Sequence, residues 1–368
     1  MKYDYLVVGT GLFGAVFAHE AAKRGKRVLA IDKRSAAGGN CRCEKIEGIN
    51  VHKYGAHIFH TSDERVWEYV TSLARFNNFV NSPYAFFKGR LYSMPFNMNT
   101  FYALWGVTSP RQAREKIAEQ TAPYLGREPR NLEEKALSLV GPDIYNTLVK
   151  GYTEKQWGRK ATELPPFIIG RLPLRFTFDN NYFNDRRQGI PEGGYNVLFD
   201  KLLENADVRT DTDYFADRAA LEQVASKTVF TGALDEYFGK KFGALEYRSL
   251  RFETEVLDMP DFQGNAVINY TDREPAYTRI IEHKHFEKAV TDRTVITREY
   301  PAPMTEGAEP YYPVNDSRNE ALADKYRALA KNEKNVIFGG RLGDYRYLDM
   351  DKVIASALAA ADREFASN

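Results

Sequence analysis

Tyr3-Asp4-Tyr5-Leu6-Val7-Val8-Gly9-Thr10-Gly11-Leu12-Phe13-Gly14 is a short apolar strand that runs straight into a glycine-punctuated turn. An alanine-rich helical stretch follows and stops at Gly25, after which Arg27-Val28-Leu29-Ala30-Ile31 leads to Asp32. Each glycine has its own physical reason. Gly9 makes the tight turn, Gly11 lets backbone approach a pyrophosphate, and Gly14 lets the helix pack close to the strand. The free N–H groups and the positive dipole end of that helix face the phosphates. Asp32 stands at the spacing from which a carboxylate accepts from a ribose hydroxyl. Strand, GxGxxG turn, helix and a second strand ending in an acid together predict a dinucleotide-binding α/β unit. A secretory signal made of Lys2 and the stretch from Leu6 to Ala18 is the competing reading. It fails because Asp4 lies in the charged segment and glycines and Thr10 interrupt the apolar run.

The rest of the chain bounds the function. Its 368 residues carry Lys+Arg 51 against Asp+Glu 50, a net charge of +1, so no global field draws nucleic acid or an anionic membrane. No apolar run approaches the length of a bilayer span. Cys41 and Cys43 fit neither a zinc set nor C-x-x-C redox spacing, and a reduced, cytoplasmic protein is expected. Residues 109–157 read as helical: Ser109-Pro110 is a cap with proline at the first helical position, Asn131-Leu132-Glu133-Glu134 resembles a capping box, and Gly141-Pro142 separates two helices. Residues 240–300 read as strands, with alternation in Val267-Ile268-Asn269-Tyr270 and Thr294-Val295-Ile296-Thr297. The end returns to α/β, with a strand at Asn335-Val336-Ile337-Phe338, a turn at Gly339-Gly340-Arg341 and a long helix from Asp349.

Lys33-Arg34-Ser35-Ala36-Ala37-Gly38-Gly39-Asn40 adds a glycine pair just past the second strand, where backbone can lie against a ring or phosphate. A simple NAD unit needs no such pair. Gly339-Gly340-Arg341 adds another glycine turn at a further helix start, whose dipole suits the pyrimidine edge of a reduced flavin. The three glycine motifs together favour FAD.

Longer motifs carry a resemblance. His52-Lys53-Tyr54-Gly55-Ala56-His57-Ile58-Phe59-His60-Thr61 and Gly151-Tyr152-Thr153-Glu154-Lys155-Gln156-Trp157-Gly158 resemble the flavin-side and uridine-side segments of the bacterial UDP-galactopyranose mutases. Phe176-Thr177-Phe178-Asp179-Asn180-Asn181-Tyr182-Phe183, Tyr277-Thr278-Arg279-Ile280, Glu309-Pro310-Tyr311-Tyr312-Pro313 and the run from Gly339 to Met350 are similar too, so the likeness spans the chain. It departs at Asp32, where an acid one methylene longer is common, and at Cys41 and Cys43. The resemblance implies a Rossmann-like FAD domain (1–65, 187–240 and 315–368), a helical bundle (100–170) and an antiparallel β-sheet domain that binds substrate (66–99, 171–186 and 241–314), in a homodimer. It also implies that UDP-galactopyranose and UDP-galactofuranose interconvert on reduced FAD without net redox change. Flavin N5 attacks the anomeric carbon, UDP leaves, and a flavin–sugar iminium recloses with the other ring size.

The residues implied by the resemblance follow from that chemistry. UDP gains charge as it leaves, which calls for guanidinium groups, and Arg171 and Arg279 supply them. Arg171 lies in Pro165-Pro166-Phe167-Ile168-Ile169-Gly170-Arg171-Leu172-Pro173, read as a loop that closes over substrate. Tyr152 and Trp157 hold uracil and ribose; Tyr182, Tyr312 and Tyr347 flank phosphates and sugar; Asn81, Asn269 and Asp349 add polar contacts. The expected flavin contacts are Gly9, Gly11, Phe13, Gly14, Asp32, Lys33, Gly39, Asn40, His57, Ile58, Gly340, Arg341, Asp349 and Met350, with His60 beside them as a proton relay. A metal held by His52, His57 and His60 is disfavoured because no acid or cysteine accompanies them at ligand spacing. For Arg279 the simpler alternative is an ion pair with Glu282. For the whole chain it is an FAD oxidoreductase of the amine-oxidase type.

Overall fold

The computed structural model describes residues 2–171, 174–305 and 307–366. Tyr3–Val8 lies at the centre of five parallel strands, between Val28–Ile31 and Ala225–Phe230, with Asp207–Arg209 and Val336–Phe338 outermost. Side chains alternate across this sheet. Val7 and Ala30 enter the core shared with the helices Leu12–Ala22 and Met350–Ala366, while Leu6, Val8, Leu29 and Ile31 pack with Tyr214, Phe230 and Tyr237 on the other face. The N-terminal unit is thus completed by the last strand and helix of the chain.

A second sheet has seven strands in the order Tyr312–Pro313, Tyr247–Leu257, Thr294–Pro303, Arg279–Glu282, Val267–Tyr270, Tyr84–Phe87, Arg90–Ser93. It departs from a purely antiparallel sheet at one junction, where Val267–Tyr270 and Tyr84–Phe87 run parallel. The hairpin Tyr84–Phe87/Arg90–Ser93 comes from an earlier chain segment, so its direction is not set by a turn from its neighbour.

The helices lie where the caps place them. Ser109 and Gln112 form a reciprocal capping box with Pro110 in the first turn. Asn131 accepts from the Glu134 N–H at 2.9 Å, but the Glu134 carboxylate reaches the Arg130 N–H rather than that of the cap itself. Gly141 (φ 76°) breaks the next helix beside Pro142, as read. A widened turn at Tyr145–Val149 then delivers the helix Lys150–Trp157 onto the second sheet. Gly151 permits that approach, since a Cβ there would sit 2.2 Å from the Thr271 carbonyl oxygen. The helix Glu64–Leu73 buries Val66 and Val70 in the core of the parallel sheet, so a boundary at residue 65 cuts through it.

Candidate active site

A cavity of about 870 Å³ opens between the two sheets and the helix Lys150–Trp157. Of the expected residues, Asn40, His57, Ile58, His60, Asn81, Tyr152, Trp157, Tyr182, Asn269, Arg279, Tyr312, Arg341, Tyr347, Asp349 and Met350 line it. Arg171 ends the short turn Pro166–Arg171, and its side chain lies outside the described residues.

Arg279 is the electrostatic centre. Its Nη2 donates to the Tyr152 hydroxyl at 2.5 Å, and its Nε lies 3.2 Å from Glu299 Oε1, off-line for a hydrogen bond. The alternative partner, Glu282, is excluded by strand geometry. Residues three apart on a strand face opposite sides, whereas Glu299 stands directly across from Arg279 on the neighbouring strand. Burial opposes the Arg279 charge, but Glu299 together with Tyr152 and Tyr312 outweighs it and holds the guanidinium protonated; burial pushes the Glu299 carboxyl up. Arg248 is a second cation on the wall. Its Nε donates to the Gln156 carbonyl at 3.3 Å, and it has no carboxylate partner among the described residues. Burial pushes the Tyr152 and Tyr182 hydroxyls up, the latter to about 12, so both stay protonated donors near neutral pH.

The histidines do not converge on one point. His52 lies flat on Phe286 (4.4 Å, 2°), away from the cavity lining, and its Nδ1 accepts from the His57 N–H at 3.2 Å. His57 Nδ1 meets the Gly55 carbonyl at 2.8 Å, and burial pushes its ring down to about 4, which leaves it neutral. His60 Nδ1 lies 2.6 Å from Asp185 Oδ2. At the far wall the Arg341 guanidinium sits 4.7 Å over the Tyr347 ring, which is itself stacked on Tyr312 at 5.8 Å.

The glycine motifs form a cradle off this cavity. A Cβ on Gly39 (φ +54°) would lie 2.8 Å from Gly11 Cα, and one on Gly14 would lie 2.0 Å from the Gly9 carbonyl oxygen. Phe13 is buried beneath Gly339 and Gly340 instead of lining the cavity. Asp32 is also buried, its Oδ2 accepting from the Thr10 N–H and hydroxyl at 2.9 and 2.6 Å and its Oδ1 from the Arg34 N–H at 3.0 Å. Lys33 pairs with Glu309 at 3.1 Å.

A sequence model of the UDP-galactopyranose mutases matches residues 147–347, and one of NAD(P)-binding Rossmann-like domains matches residues 7–73. A probable UDP-galactopyranose mutase of Klebsiella pneumoniae is 39% identical over 99% of this chain and 95% of its own. A dTDP-fucopyranose mutase of Escherichia coli is 38% identical over 99% of this chain and 98% of its own. The chain belongs to the UDP-galactopyranose mutase family. The fold agrees: a crystal structure of reduced UDP-galactopyranose mutase superposes with a TM-score of 0.76 at 14% identity, covering 100% of this chain and 96% of that one.

Family membership makes this chain an isomerase that interconverts sugar ring forms, and it sets aside the oxidoreductase alternative. It also implies a flavin, and the residues fit one. The paired turns at Gly11 and Gly39 leave a strip of bare backbone, and the buried Arg341 Nε lacks a hydrogen-bond partner among the described residues. Arg248, Glu299 and Asp185 line the same cavity, and sequence reasoning missed them. Asp185 lay two residues beyond a quoted motif, and Glu299 followed the quoted strand run Thr294-Val295-Ile296-Thr297 by two. No helix among the described residues is long and apolar enough to cross a membrane.

Proposed function

We propose that this enzyme interconverts UDP-galactopyranose and UDP-galactofuranose with reduced FAD bound in the glycine cradle. Gly9, Gly11, Gly14 and Gly39 would hold the pyrophosphate, and Asn40, His57, Ile58, Arg341, Asp349 and Met350 the flavin side. When bound, the reduced flavin supplies an electron-rich nucleophile for the anomeric carbon, with no net redox change. The protein's part is charge and position. The observation that carries the reading is Arg279, a guanidinium held between Tyr152 and the buried Glu299 at the cavity wall. Its side chain also lines the cavity, where an anionic ligand would meet the guanidinium. As the anomeric C–O bond breaks, UDP gains negative charge, and Arg279, Arg248 and an inward-closing Arg171 stabilise it. Tyr152 and Trp157 take the uridine, Tyr182, Tyr312 and Tyr347 the phosphates and sugar, and Asn81, Asn269 and Asp349 the remaining hydroxyls. The same reading includes a cytoplasmic homodimer and a three-part domain division, with the first FAD segment carried past residue 65 to the end of the helix Glu64–Leu73.

Anaerobic incubation of the yellow protein with UDP-galactofuranose, with and without dithionite, tests this by chromatography of the nucleotide sugars. UDP-galactopyranose formed after reduction alone is the expected result; none in the reduced, flavin-loaded sample refutes the reading. The dTDP-fucopyranose mutase relative supports a second substrate pair at nearly equal identity. An arm with dTDP-fucopyranose therefore runs in parallel, and the larger kcat/KM decides.

A further inference from the structure

The cavity holds a titratable pair to which the roles above give no joint function. His60 Nδ1 lies 2.6 Å from Asp185 Oδ2, and Asp185 Oδ1 accepts from the Ser62 hydroxyl at 2.7 Å. The imidazole lies flat on Phe183, ring centres 3.7 Å apart at 16°. The carboxylate and the aromatic face thus fix the ring, and the Ser62 hydroxyl fixes the carboxylate. Burial raises the Asp185 carboxyl, but the hydrogen bonds from Ser62 and His60 overcome it and hold the group below the ordinary carboxylate range. An ionised carboxylate only accepts, so Nδ1 carries the proton and the lone pair sits on Nε2. Nε2 has no hydrogen-bond partner among the described residues, and both side chains line the cavity.

We propose that Asp185 is a positioning residue that locks His60 with Nδ1–H, and that His60 Nε2 moves the proton which ring interconversion requires. The inference rests on the reading of this cavity as a nucleotide-sugar site. Conversion of a pyranose to a furanose breaks C1–O5 and forms C1–O4. O5 must gain a proton, O4 must lose one, and no electrons are exchanged with the surroundings. Nε2 of the neutral ring takes the proton of the 4-hydroxyl, and the imidazolium so formed gives it to O5 as C1–O5 breaks. O4 then closes on C1, and His60 is left as the Nδ1–H tautomer it began as. Asp185 stabilises the charged form and preserves the tautomer throughout.

The test pairs a spectrum with kinetics on the flavin-loaded enzyme. Six histidines make ¹⁵N-histidine labelling tractable, with His60 assigned by its loss in His60→Gln. Expected in the unmutated protein is an Nδ1–H tautomer at His60, lost in Asp185→Asn, whose amide keeps the shape but also offers a donor to Nδ1. Expected kinetically is a fall in kcat of about 100-fold in Asp185→Asn, with KM and flavin content unchanged. An Nε2–H tautomer in the unmutated protein overturns the inference, even if the variant does not fold. So does an Asp185→Asn kcat within about twofold of the parent, well inside what a proton-transfer role contributes. Failure of the unmutated enzyme to convert any nucleotide sugar refutes the proposed function instead, and the tautomer spectrum keeps the two failures apart.

Discussion

Replacing Glu299 with Gln separates what holds the fold from what binds the ligand. The carboxylate is buried and lies 3.2 Å from Arg279 Nε. At an effective dielectric near 20, that separation corresponds to an attraction of about 5 kcal/mol. Removal of one partner of a buried pair costs about 3 kcal/mol net, because the desolvation of the lost charge is recovered while the other charge is stranded. For a chain of 368 residues the unfolding entropy is about 0.8 kcal/mol per kelvin, so Tm falls by about 4 °C. Binding moves the other way. A phosphate on Arg279 about 6 Å from the carboxylate is repelled by roughly 3 kcal/mol in the parent, and relief of half of this tightens the UDP Kd roughly tenfold. Thermal melts of the flavin-loaded proteins with and without UDP, together with calorimetric titration, read both effects. The variant melts lower alone and gains more from UDP. An unchanged Tm, or UDP binding that is equal or weaker, refutes the argument that Arg279 passes from Glu299 to the diphosphate.

Gly39→Ala places a Cβ 2.8 Å from Gly11 Cα at a residue with φ +54°, and the purified variant loses its visible flavin absorbance; a fully yellow variant rejects the cradle. Arg171→Ala lowers kcat about 100-fold if the loop brings its charge to the diphosphate, and near-normal turnover rejects the lid. Glu282 gives a pH signature. Burial raises its carboxyl, but His285, the Gln263 and Phe262 N–H groups and the Thr294 hydroxyl pull it down to about 2 from 4.5. A carboxyl lowered in the folded state stabilises above its unfolded value and stops doing so as pH falls through the folded one. Glu282→Gln is therefore less stable by about 3 kcal/mol at neutral pH. The gap in urea midpoints closes as pH drops from about 4.5 toward 2, and a gap independent of pH refutes this account.

Local chemistry was legible, and pairing across the chain was not. The strand, the GxGxxG turn and the helix that follows are set by backbone conformation within a few residues, and Ser109-Pro110 and Gly141-Pro142 act just as locally. Asp32 stands in its expected place, but the turn uses its carboxylate, because the Thr10 N–H and hydroxyl lie within reach of so short a side chain. Arg279 was singled out from its motif, whereas its partner depends on strand register, which one sequence does not specify. The alternative partner, Glu282, lies three residues along the chain; the sheet counts across it and selects Glu299. His60 and Asp185 sharpen the point, being 125 residues apart. They meet because Phe59–Thr61 pairs antiparallel with Arg187–Gly189, with His60 opposite Gln188. That pairing carries the preceding segment, with Phe183 and Asp185, against the imidazole. The geometry of the dyad is therefore a property of two short strands and not of either motif, so a substitution that shifts this register moves Asp185 away from His60 without touching either residue.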